Sequence, residues 1–197
     1  TTGASNTGLG RGALGSNTTG SNNAAVGKFA LTSNTTGANN VAVGQSAQAA
    51  TTTGNDNVGI GRQALDANTT GGANVAVGSD ALGANTTASN NTALGYQALI
   101  ANTTGAQNTV IGASAGVALT TGGSNVAVGF EALKNEDAHG LNTAIGTQAL
   151  FAQNAGANAY NVGVGFQAGA AITTGTLNTI VGGLAGDAIT TAEGITA

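Results

Sequence analysis

Along this chain the apolar residues come in a short cluster, and the cluster returns at a fixed interval. A representative copy is Asn74-Val75-Ala76-Val77-Gly78, followed by Ala81-Leu82 and then by Asn85-Thr86-Thr87. The closing glycine falls at Gly10, Gly27, Gly44, Gly61, Gly78, Gly95, Gly112, Gly129 and Gly146, every 17 residues. It slips by two to Gly165 and resumes at Gly182, which makes 11 copies in 197 residues. A fixed period of this length marks a repeat architecture, in which each repeat is one supersecondary unit stacked on its neighbours. The three-residue run has mostly Val, Thr, Ile or Leu at its ends, and β-branched runs bounded by Asn and Gly read as strands. A helix is a poor reading, because no 3.6-residue apolar period is sustained and a glycine interrupts every copy. The Ala-Leu pair after the glycine predicts a second short strand, and Asn-Thr-Thr-Gly predicts a polar turn.

Two short strands and two turns suit one coil of a parallel β-solenoid. Each strand then pairs with the same strand one coil on, about 4.8 Å away, so eleven coils make a rod on the order of 50 Å long. The fold expected over residues 1–197 is all-β, a single parallel β-solenoid (β-roll) domain of about eleven 17-residue coils.

Three columns of the repeat carry structural expectations. The leading asparagine is kept in every copy; Asn23, Asn40, Asn57, Asn74, Asn91, Asn108, Asn125 and Asn142 are expected to stack as a hydrogen-bonded ladder. The closing glycine implies a positive φ or no room for a Cβ. The centre of the run is small in nine copies, with Val110 and Ile180 the exceptions, so it is expected to face a thin interior. The valines on either side then face outward, because successive strand residues alternate. An apolar stripe of that length predicts self-association, with rods side by side about a symmetry axis.

Asn-Val-Ala-Val-Gly, Asn142-Thr143-Ala144-Ile145-Gly146 and Asn91-Thr92-Ala93-Leu94-Gly95 resemble the head repeats of trimeric autotransporter adhesins, the YadA-like left-handed parallel β-roll. Similar repeats occur in phage tail fibres and other extracellular fibres. The resemblance covers nearly the whole chain. It implies a left-handed, trimeric, rod-like head at the cell surface or on a virion fibre, binding host matrix, other cells or glycans. The family's usual repeat is a few residues shorter, and no stalk, neck or anchor pattern is found in these residues.

Composition narrows the function classes. There are 34 glycines and no proline, and the net charge is only −4. Such low-complexity chains are often disordered, but here the strict apolar register argues for a fold. Four Lys and Arg are too few to neutralise a phosphate backbone, so nucleic acid is not an expected partner. No apolar run approaches a membrane-spanning helix, and no direct membrane insertion is expected of this segment. Cysteine is absent, which removes thiolate and disulfide chemistry. Methionine is absent even at position 1, which predicts a processed chain or a segment of a longer one.

Candidate chemistry is sparse. One histidine, no cysteine and eight carboxylates in different phases of the repeat give no catalytic set, so an enzyme is not expected. No cofactor or metal is expected either. Lys134-Asn135-Glu136-Asp137-Ala138-His139 is the one charged irregularity and reads as a variable surface turn. Residues 154–160 carry a two-residue loop insertion. Asn17, Asn34, Asn68, Asn85, Asn90 and Asn102 fit the acceptor pattern for N-linked glycans. A Thr-Thr column runs from Thr18-Thr19 to Thr120-Thr121 and returns at Thr173-Thr174. It reads either as a solvated turn or as a regular hydroxyl surface that orders ice or a ligand. The expectation is a structural or adhesive extracellular fibre that associates with itself as a trimer. The alternatives are a self-assembling filament subunit and a monomeric ligand- or ice-binding solenoid.

Overall fold

The computed structural model describes residues 2–197, which form eleven strands and no helix. The strands are β1 (Thr7–Leu9), β2 (Ala24–Val26), β3 (Val41–Val43), β4 (Val58–Ile60), β5 (Val75–Val77), β6 (Thr92–Leu94), β7 (Thr109–Ile111), β8 (Val126–Val128), β9 (Thr143–Ile145), β10 (Val162–Val164) and β11 (Thr179–Val181). They lie in one sheet in chain order. Each pairs in parallel with the next, as in Val75↔Thr92 and Ala76↔Ala93. The pairing of β9 with β10 is Thr143↔Val162, so the two extra residues leave the register intact. The chain is therefore a β-solenoid with one strand per coil.

The expected second strand is not present. The Ala-Leu stretch is two consecutive turns: Ala81 N–H donates to Gly78 O at 3.3 Å, and Asn85 N–H donates to Leu82 O at 3.2 Å. Asp80 and Leu82 stand at φ 59° and 52°, with Ala81 at negative φ between them. This alternation turns successive N–H groups toward opposite neighbours. Asp80 N–H reaches back to Arg62 O at 2.9 Å, and Leu82 N–H reaches forward to Ala98 O at 3.0 Å. The segment thus meets its backbone hydrogen-bonding requirement between coils without strand geometry. Non-glycine residues at positive φ cost energy, and they persist here because the stacked neighbours over-determine the backbone.

The closing glycine meets both conditions read from the sequence. Gly78 has φ 136°, and a Cβ there would collide with the carbonyl oxygen of Gly95 in the next coil. The interior is thin. The middle residue of the strand is buried in every coil from β2 to β11, and Ala81 and its equivalents from Ala30 to Ala168 are buried with it. The third wall is the Leu slot (Leu31, Leu65, Leu82, Leu99, Leu133, Leu150), also buried.

Three coils place glycine in that slot, at Gly116, Gly169 and Gly186. In the same coils the residue three positions on, elsewhere mostly asparagine, becomes Leu119, Ile172 or Ile189. Leu119 Cδ1 and Ile172 Cδ1 occupy the space that a Cβ on Gly116 or Gly169 would enter, at 3.0 and 2.9 Å. The two large middle residues, Val110 and Ile180, stand in coils of this kind, next to Gly116 and Gly186. Interior volume is thus kept within the Gly116 and Gly186 coils; in the third, where the middle residue is Gly163, Leu150 of the preceding coil reaches into the space, its Cγ 2.8 Å from where a Cβ would stand.

Candidate functional site

The leading asparagines are buried from Asn23 to Asn178. The backbone N–H of each donates to the Oδ1 of the asparagine one coil before, at 2.9–3.2 Å from Asn23 through Asn178. Each Nδ2 donates to a turn carbonyl 14 residues on, for example Asn74 to Ala88 O at 2.9 Å. Asn142 is the exception: its Nδ2 has no partner, and its coil is the one followed by the enlarged loop.

Five of the six glycan-acceptor asparagines form a second interior row. Asn34, Asn68, Asn85 and Asn102 are fully buried and Asn17 nearly so. Their Nδ2 atoms donate to the carbonyl three residues on, at 2.9–3.1 Å. The same carbonyl receives the leading asparagine of its coil, so Asn74 and Asn85 converge on Ala88 O. The glycan reading therefore does not fit these five in the folded coil, because the acceptor nitrogen is enclosed and committed. Asn90 differs: its side chain is exposed.

The Thr-Thr column divides by role. The first hydroxyl donates to the carbonyl of its counterpart in the next coil, at 2.8–3.2 Å from Thr18 through Thr103. The second threonine, from Thr19 to Thr121, is exposed. Only one of the two hydroxyls per coil is left to face solvent.

The charged irregularity brings Glu136, Asp137 and His139 together, one ligand-capable atom from each within 4.8 Å of the others. Glu136 is fully buried in the slot that asparagine fills in five other coils. Its Oε1 accepts from His139 N–H at 3.2 Å, and Oε2 from Ala155 N–H at 3.5 Å. Burial pushes its carboxyl above the ordinary carboxylate value, against the smaller lowering by these hydrogen bonds. Burial likewise raises Asp66, whereas the hydrogen bond from Lys134, seconded by Gln148, lowers Glu131.

Of two outward columns, the sequence had anticipated the first as an apolar stripe for self-association and had not singled out the second. The third strand residue is an apolar ladder along the whole rod, with Val43, Ile60, Ile111 and Ile145 exposed at 36–39% and the end members Leu9 and Val181 at 66% and 59%. The residue after the closing glycine is cationic early in the chain (Arg11, Lys28, Arg62) and aromatic later (Tyr96, Phe130, Phe166). The signal for it was the shared phase of these residues, spread over 156 positions in the sequence and visible only when the copies are aligned. Among the described residues the surface opens no pocket. No protein-family model, curated protein or solved structure matches the chain.

Proposed function

We propose that this chain is a non-catalytic structural rod of an extracellular fibre or adhesin head, assembled as three solenoids side by side. The observation that carries this reading is the outward apolar ladder of the third strand position, continuous from Leu9 to Val181. A contiguous apolar stripe of that length is uncommon on a monomer and marks an interaction surface. The first strand position, half-buried Val or Thr in most coils, runs parallel to it and widens the strip. The likeness of the repeats to trimeric adhesin heads supports three copies and a cell-surface or virion location. The spent first hydroxyl of the Thr-Thr column weakens the ice-ordering alternative. Sedimentation equilibrium of the purified chain is expected to give three times the 18.5 kDa protomer mass. A single monomeric species at all concentrations would overturn the assembly.

A further inference from the structure

We infer that the row Tyr96, Phe130 and Phe166 is a binding platform for an extended β-1,4-linked glucan. This goes beyond the rod assembly and does not depend on it. The three rings follow β6, β8 and β10, so they stand two strands apart in the sheet each time. The step is about 9.6 Å, twice the strand spacing. The coils between them carry Ala113 and Thr147 in the same column, too small to interrupt the row. The rings are 54%, 50% and 53% exposed, so each offers a free face of similar extent.

In a β-1,4-linked glucan, alternate sugars turn over, and every second sugar presents the same C–H face at nearly this interval. An apolar sugar face stacks on an aromatic ring, and the ring quadrupole favours the polarised C–H groups. A glucan also needs hydroxyl partners beside the rings. The adjacent column supplies them as Gln97, Ser114, Glu131, Gln148 and Gln167. Gln148 Nε2 donates to Glu131 at 2.9 Å, and Gln167 Nε2 donates to Gln148 Oε1 at 2.8 Å, which aligns the row along the rod.

The test uses the whole chain with cellohexaose in calorimetry and with microcrystalline cellulose in co-sedimentation. The native protein is expected to bind both. Tyr96→Ala, Phe130→Ala and Phe166→Ala are each expected to weaken cellohexaose binding by roughly threefold to tenfold. The triple variant is expected to lose binding while keeping its β spectrum and oligomeric state. Ala113→Phe combined with Phe130→Ala keeps three rings but destroys the two-coil step, and is expected to bind as poorly as Phe130→Ala. Absence of binding by the native chain overturns the proposal. So does undiminished binding by the triple or the step-shifted variant. Binding to chitohexaose in preference to cellohexaose overturns the choice of glucan, and a triple variant that changes oligomeric state without affecting glucan assigns the rings to self-assembly.

Discussion

At the scale of single residues, the fold rests on amides enclosed in the coil. Asn74 accepts the N–H of Asn91 at 3.0 Å and donates to Ala88 O at 2.9 Å and Asn57 Oδ1 at 3.1 Å. Asn74→Ala leaves the buried Asn91 N–H without its acceptor and the Ala88 carbonyl with one of its two amide donors, Asn85 Nδ2. A loss of about 1–3 kcal/mol is expected, read by urea denaturation. An unchanged midpoint would show that water replaces the amide. Glu136 is the contrary case, a carboxyl where the repeat places a neutral amide, faced by His139 and Asp137. Its folded pKa is raised above the ordinary 4.5. Between that value and the raised one, the folded chain holds more protons than the unfolded chain. Stability therefore falls as pH rises through this window and levels off above it. Glu136→Gln is expected to melt higher than the native chain at pH 7, with the difference vanishing toward pH 4. Equal melting curves across that range would mean that the carboxylate is solvated.

At the scale of the coil, what was legible in the sequence was whatever repeats in phase. The strand, its one-coil parallel register, the small inward middle residue and the positive-φ glycine all follow from the 17-residue alignment of residues such as Val75, Ala76 and Gly78. The turns were not legible as such. Ala81-Leu82 is as apolar as a strand, and nothing in a leucine announces φ 52°. The signal was the glycine that takes this slot at Gly116, Gly169 and Gly186. The inward course of the row Asn17 to Asn102 was not legible for a related reason: an Asn-Thr-Thr turn satisfies a glycan pattern whichever way its asparagine points. The exchange of Leu for Gly, matched by Asn for Leu or Ile three residues on, yields a test of packing. Leu99→Gly alone leaves a cavity and adds backbone freedom, with an expected cost of about 3–5 kcal/mol. Leu99→Gly with Asn102→Leu copies the native pair Gly116 and Leu119 and is expected to recover most of that loss. Additive destabilisation in thermal melts would show that the two slots do not share one interior volume.

At the scale of the whole molecule, each coil touches only the coil before and the coil after, so the rod is close to one-dimensional. Length then becomes separable from local stability. Deleting residues 63–79 removes one complete period and joins Arg62 to Asp80, keeping every column in phase. The strand Val58–Ile60 then meets Thr92–Leu94, a pairing of the same kind as those native to the chain. This variant is expected to fold, with a denaturant slope lower by about a tenth, in proportion to the one coil of eleven removed. Deleting residues 63–78 instead joins Arg62 to Ser79 and leaves one residue too many in the turn segment, a coil of 18 residues. Ser79 then falls at the positive-φ position and Ala81 at the Leu slot, so Leu82 is driven from the interior and the asparagine amides of that coil lose their carbonyl. The native chain absorbs its own two extra residues at 154–160, in a largely exposed loop beyond the buried Gln153, which leaves the Asn142 Nδ2 and the Gln153 Nε2 without partners. The 16-residue deletion enjoys no such outlet and is expected to split the rod into two independently melting blocks. A single cooperative transition, with the same midpoint for both deletions, would show that the coils tolerate phase errors and that stacked register is not what holds the molecule together.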